Sequence, residues 1–226
     1  MAEQTFDFQK NVDTALADAQ LRANFAYAMS TLYQKRKGVF SDAAETERLR
    51  EIGNAVRQRA LSKLPELLEK LEKRCTENGI QVHWAETTDE ANRIILKIME
   101  DHQATRMAKG KSMVSEEMHL NKFLEEHGKE VMETDLGEYI IQLAGETPSH
   151  IIVPAVHKNK DQIARLFHEK IPGAPYTEKV EELNALARKT LREKFQNADV
   201  GLSGVNMAVA ETRSEEHTSE LQSLLI

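Results

Sequence analysis

The sequence predicts an α/β fold: an N-terminal helical segment followed by a mostly parallel sheet with flanking helices. Three observations predict it. Apolar residues recur at three- and four-residue intervals through residues 1–78. Beyond Asn78-Gly79, short runs of strand character alternate with helical ones, the order that builds parallel sheets through helical crossovers. Polar segments follow several of those runs, as expected where strands end at a ligand-binding edge.

In residues 1–78 the helical spacing is carried by Phe25, Met29, Leu32 and Tyr33, then by Leu49, Ile52, Val56 and Ala60. Leu64, Leu67, Leu68, Leu71 and Cys75 continue it. Ser62 followed by Pro65 predicts a break and a fresh helix start. Asn78-Gly79 predicts a stop, because glycine tolerates the left-handed conformation needed past a last helical turn. Residues 80–85 alternate and contain Val82 and Trp84, which predicts a strand. Thr87-Thr88-Asp89-Glu90 reads as a capping box, and Ala91, Ile94, Ile95 and Ile98 make the helix behind it amphipathic. Further strands are expected over residues 105–108, 131–134, 151–154, 199–203 and 207–210. Helices are expected over 112–127, 161–170 and 178–197. There is no internal repeat and no low-complexity segment.

Three regions result: a helical segment over 1–78, a partial α/β domain over 79–212, and a tail over 213–226. The tail begins Arg213-Ser214-Glu215-Glu216-His217-Thr218-Ser219-Glu220-Leu221-Gln222-Ser223. That run reads as the conceptual translation of a sequencing-library adapter. It implies a reading frame cut in mid-gene, a truncated domain, and a mostly polar tail that does not pack into the fold. Function is then to be read from residues 1–212, as the front of a larger protein.

The net charge is −7; without residues 213–226, which hold one Arg and three Glu, it is −5. A mildly acidic chain argues against nucleic acid as the main partner. No apolar run is long enough to span a bilayer and the N-terminus lacks an apolar signal core, so a cytoplasmic location is expected. Cys75 is the single cysteine. It excludes an intramolecular disulfide, and it cannot complete an iron–sulfur cluster or a cysteine-based zinc site. Near the end of an amphipathic helix, it reads as a small apolar residue.

Several polar segments are candidates for chemistry. Lys109-Gly110-Lys111-Ser112 fails as a phosphate loop, because Thr105 stands where the first glycine belongs. It still leaves two readings: a Ser112-capped helix, or an anion site in which Lys109 and Lys111 add charge. Thr134-Asp135-Leu136-Gly137-Glu138 is either a turn or a pair of carboxylates, Asp135 and Glu138, available as acid and base or as hard-cation ligands. His157, in Pro154-Ala155-Val156-His157-Lys158, is a proton shuttle or an exposed loop histidine. Asn206, in Gly204-Val205-Asn206, belongs to a tight turn or to a polar loop at the sheet edge. The histidines show no metal-ligand spacing, and no metal is expected. If all four segments follow parallel strands, their ends share one edge and can form one site.

These segments resemble the lactate-utilisation iron–sulfur protein family of the B-subunit type. The resemblance runs through most of residues 10–212. It is carried by Lys111-Ser112-Met113-Val114-Ser115-Glu116-Glu117, by Glu133-Thr134-Asp135-Leu136-Gly137-Glu138-Tyr139-Ile140, by residues 148–158 (PSHIIVPAVHK), and by Ala208-Val209-Ala210-Glu211-Thr212. It implies an N-terminal LUD-type domain similar to the sugar-phosphate isomerase and CoA-transferase group. A ferredoxin-like module with cysteine-rich motifs is implied beyond it. The full-length parent would be an oxidoreductase subunit that passes electrons through 4Fe-4S clusters as L-lactate becomes pyruvate, working with other lactate-utilisation subunits and a small organic acid. This sequence departs from the family at Arg213, where glycine is expected, and holds no cofactor of its own. Lys109, Lys111, Ser112 and Asn206 are the expected ligand contacts; Asp135, Glu138 and His157 are the candidates for proton handling. The alternative is a stand-alone binding domain for a small anionic metabolite. The contig beyond the seam would separate the two.

Overall fold

The computed structural model describes residues 7–211 and the backbone of residues 214–216. The chain forms two compact units. One takes the chain up to Thr46 together with Ile140–Leu186; the other takes Glu47–Tyr139 and the chain from Ala187 on.

The N-terminal region is helical, as the spacing predicts. It comprises α1 (Phe8–Ala17), α2 (Ala19–Val39), α3 (Ala43–Ser62) and α4 (Leu64–Glu77). Asp7 and Asp18 cap α1 and α2 by accepting from the Lys10 and Leu21 amides. The break after Ser62 falls where Pro65 can occupy the first turn of α4. Gly79 adopts φ 78° beyond α4. The strand expected over residues 80–85 does not form. Alternation alone cannot make a strand without a neighbouring edge to pair with, and Trp84 instead donates from Nε1 to Glu72 of α4 at 2.9 Å.

The second unit contains the sheet. Helix α5 (Thr88–Asp101) begins at Thr87, whose hydroxyl accepts from the Glu90 amide while the Glu90 carboxylate accepts from the Glu86 amide. Strands β1 (Arg106–Lys109), β2 (Glu130–Glu133) and β3 (Val200–Leu202) form a parallel sheet in the order β2-β1-β3. Leu96, Met99, Ala104, Met107, Leu120, Leu124 and Val131 make the core between this sheet and its helices. The helix expected over 112–127 is two helices, α6 (Met113–Glu117) and α7 (Leu120–Glu126). His119 takes the left-handed conformation between them, and Asn92 donates to the freed Met118 carbonyl at 3.0 Å. That break lets Leu120 and Leu124 both be fully buried.

After β2 the chain enters α8 (Leu136–Ala144), for which the sequence pattern predicts no element; the turn that is one reading of residues 134–138 is the start of this helix. Asp135 starts it by accepting from the Gly137 and Glu138 amides. Helices α9 (Lys160–Lys170) and α10 (Val180–Gln196) fall where expected. Asn159 and Gln162 close a full capping box on α9. The strand expected over 151–154 is absent. His150 Nδ1 accepts from the Ile152 and Val153 amides, and the Ser149 amide donates to the Pro154 carbonyl, so local turns take the groups a ladder would use.

Strand β4 (Met207–Val209) pairs antiparallel with β5 (Ser214–Glu216), apart from the parallel sheet. Three residues of the tail expected to stay outside the fold are therefore paired in this hairpin; residues 217–226 lie outside the described residues.

Candidate functional site

The parallel sheet brings three of the four polar segments to one edge. β1 ends at Lys109, β2 at Glu133 and β3 at Leu202, in adjacent strands. The Gly110 amide donates to the Leu202 carbonyl at 2.8 Å, and the Thr134 amide and hydroxyl both donate to the Lys109 carbonyl at 2.9 Å. The chain after β3 passes so close to Ser112 that a Cβ on Gly204 would stand 3.1 Å from the Ser112 Cβ and Oγ. Ser112 caps α6 by accepting from the Ser115 amide at 3.3 Å.

At the centre of this edge is a buried ionic cluster. Lys109 and Glu133 are partners in the β1–β2 register. The Lys109 ammonium, 0 % exposed, lies 2.5 Å from both Glu133 Oε1 and Glu116 Oε1. Asn121 of α7 also donates to Glu133 Oε1, at 2.6 Å. Burial works against the Lys109 charge, but attraction and hydrogen bonds to Glu133 and Glu116 outweigh it and hold the ammonium protonated above the ordinary lysine range. The residual cost falls on Glu133, whose carboxyl is pushed up by burial against the pull of Lys109 and Asn121.

Lys109 thus serves the cluster, rather than standing open to an anion as the sequence reading placed it. Lys111 and Ser112, both partly buried, stand at the rim.

Glu138, in the first turn of α8, is 4 % exposed. Among the described residues no hydrogen-bond partner is found for its carboxyl. Its acidity is pushed up to about 7, first by burial, then by repulsion from Glu116 and Glu133, against weaker attraction from Lys111 and Lys109. Asp135 spends one oxygen on the α8 amides. Asn206 is exposed at the bend before β4.

Residues 68–213 match the family described as LUD domain. The chain belongs to the LUD-domain family. Among its relatives, Lactate utilization protein B of Bacillus pumilus (strain SAFR-032) is 39 % identical over 208 residues. The proteins of the same name from Bacillus cereus (strain AH820) and Geobacillus sp. (strain WCH70) are 40 % and 41 % identical over 207 and 209 residues. Each comparison covers 92 % of this chain and 44 % of the relative, so the chain spans under half the length of the proteins it matches. No solved structure matches.

Most of the matched stretch of the LUD domain lies in the sheet-bearing unit, but His157 belongs to the other unit. Its Nε2 is 2.7 Å from Glu146 Oε2 and its Nδ1 is 2.5 Å from Ser149 Oγ, while Asn24 donates to its carbonyl. Lys158 holds the other Glu146 oxygen at 2.7 Å. Slight burial raises the Glu146 carboxyl, but the Lys158 and His157 hydrogen bonds outweigh it and hold it below the ordinary range. Hydroxyl, imidazole and carboxylate in a row suggest a relay. The Ser149 hydroxyl directs its single proton to the Pro154 carbonyl at 3.0 Å, so these bonds fasten the loop over residues 146–158.

The spacing of the sequence does not single out Glu116, Glu133 or Asn121 as site residues. A signal was present: Lys109 and Glu133 each close an apolar strand, behind Met107-Ala108 and Val131-Met132. A charge there must find a partner when buried.

Proposed function

We propose that this chain is the LUD-domain section of an iron–sulfur subunit in a cytoplasmic complex that oxidises L-lactate to pyruvate. The observation that carries this reading is identity of about 40 % over 92 % of the chain to proteins called Lactate utilization protein B. The strand-end edge supports a role for this section: parallel strand ends offer a ligand crevice, and the edge holds Lys111, Ser112 and the carboxyl of Glu138. A small organic acid is the ligand that this reading assigns there. Electron transfer is assigned elsewhere. A 4Fe-4S cluster takes four ligands, usually thiolates, and the half-buried Cys75 supplies one, so this chain does not fit a cluster. No helix among the described residues is long and apolar enough to cross a membrane.

Complementation tests the reading. The full-length parent gene is placed in a bacterium lacking its own lactate utilization protein B, and L-lactate consumption and pyruvate formation are followed. Restored consumption is expected. A stably produced parent that leaves lactate untouched would exclude it and favour a binding domain for another anionic metabolite.

A further inference from the structure

Among the described residues, the strand-end cluster leaves more than one buried oxygen unpaired, Asn121 Oδ1 among them, and contains one whole carboxyl, that of Glu138, that none of its hydrogen bonds uses. Lys109, Glu116, Glu133 and Asn121 bind one another, and Asp135 caps α8. Glu138 is buried beside them, with no hydrogen-bond partner for its carboxyl among the described residues. A buried carboxyl normally has a partner, and one without it stays neutral or awaits a ligand. We propose that Glu138 is the proton-coupled ligand contact of this site: in its neutral form it donates a hydrogen bond to the carboxylate of a small 2-hydroxy or 2-oxo acid, which Lys111 attracts. The ligand class rests on the lactate-utilisation reading above; the proton coupling rests on the cluster.

The charges around Glu138 decide the direction of coupling. Lys109 comes from β1, Lys111 from the turn after it, Glu116 from α6, Glu133 from β2, and Asp135 precedes α8. With Glu138 neutral, two cations face three carboxylates, one of which, Asp135, already accepts from two backbone amides. Ionisation adds a fourth carboxylate and removes the only proton Glu138 can donate. An anionic ligand and an ionised Glu138 therefore exclude each other. The carboxyl ionises near neutral pH, about 7, so binding above that point must take up a proton. No bond in the ligand is made or broken.

Calorimetry on the 226-residue chain tests this, with L-lactate and pyruvate as probes, from pH 5.5 to 8.5 in buffers of differing ionisation enthalpy. The expected result is affinity falling about tenfold per pH unit above the Glu138 transition, with close to one proton taken up per ligand at pH 8.5. Glu138→Gln, an isostere of the neutral form, is expected to bind with no proton uptake and a flat profile. Lys111→Ala is expected to weaken binding while keeping the uptake. Binding without proton uptake in the wild-type chain, or Glu138→Gln with the wild-type profile, overturns the proposal, as does absence of binding by both probes throughout the range. The wild-type profile decides even if Glu138→Gln does not fold. Complementation by the parent is read separately, so a functional parent with pH-independent binding rejects this inference and leaves the lactate reading standing.

Discussion

Lys109 shows how little a residue type says before its surroundings are known. On paper it is a cation in a polar, glycine-containing turn. In the fold it is a fully buried ammonium shared by two carboxylates. Removing it leaves Glu133 buried beside Glu116 with no countercharge. Lys109→Met is expected to cost about 3–5 kcal/mol in urea unfolding. Lys109→Met with Glu133→Leu should recover much of that; if the double variant is no better than the single one, the pair is not what holds the strand ends. Glu138 makes a different prediction. Its carboxyl ionises at about 7 in the fold and near 4.5 ordinarily, so the folded chain holds a proton that the unfolded chain has released between those values. Wild-type stability should therefore fall from about pH 4.5 to 7 through this group and level off above. Glu138→Gln removes that slope, and its advantage over wild type should grow by on the order of 3 kcal/mol between pH 4.5 and 8. Parallel pH profiles for the two proteins would show that Glu138 has its ordinary acidity.

At the scale of elements, what matters is where helices stop. His119 divides one predicted helix into α6 and α7, and each part then points its own residues inward: Ser115 from the first, Leu120 and Leu124 from the second. The division also places Glu116 and Asn121 on either side of the Lys109–Glu133 pair. The approach of the segment after β3 is equally specific. Gly204 lies against the cap of α6, and a methyl there meets Ser112 at 3.1 Å. Gly204→Ala is expected to cost about 1–3 kcal/mol by overpacking and to loosen the cap. Unchanged thermal unfolding would mean the two segments separate easily. The loop over residues 146–158 is held by side chains, through His157, Ser149, Glu146 and Lys158. That is why an apolar run such as Ile151-Ile152-Val153 need not be a strand: Ile151 and Ile152 are both more than half exposed.

For the whole molecule, the informative comparison is between the parallel sheet and the hairpin. In the parallel sheet the inner residues of β1 and β2 are buried, and Val200 and Leu202 of β3 pack, partly buried, against the core. The β4–β5 pair is separate, and the β4 side chains are exposed. A two-stranded hairpin alone is marginal in water. Deleting residues 213–226 should therefore shift the thermal midpoint by less than about 2 °C, since a change near 1 kcal/mol moves a chain of this size by roughly 2–4 °C. A larger drop would show that the hairpin supports the domain.

The sequence by itself determined the helix-then-sheet order, the α4 stop at Gly79, the caps at Thr87 and Ser112, and the strands around Met107, Val131 and Val200. Each depends on a few neighbouring residues whose conformational preferences agree. It also carried the family resemblance. Tertiary structure alone decided which apolar runs found a partner. Residues 80–85 and 151–154 have strand composition and no adjacent edge, while Leu136–Ala144 became a helix because Asp135 could cap it and Tyr139, Ile140 and Ile141 each found a buried position. Tertiary structure likewise divided the site. Lys109, Lys111, Ser112, Asp135 and Glu138 meet at the strand ends, while His157 works within a different unit. Strand pairing and burial join residues far apart in the chain, and the electrostatics of Lys109 and Glu138 follow from that burial.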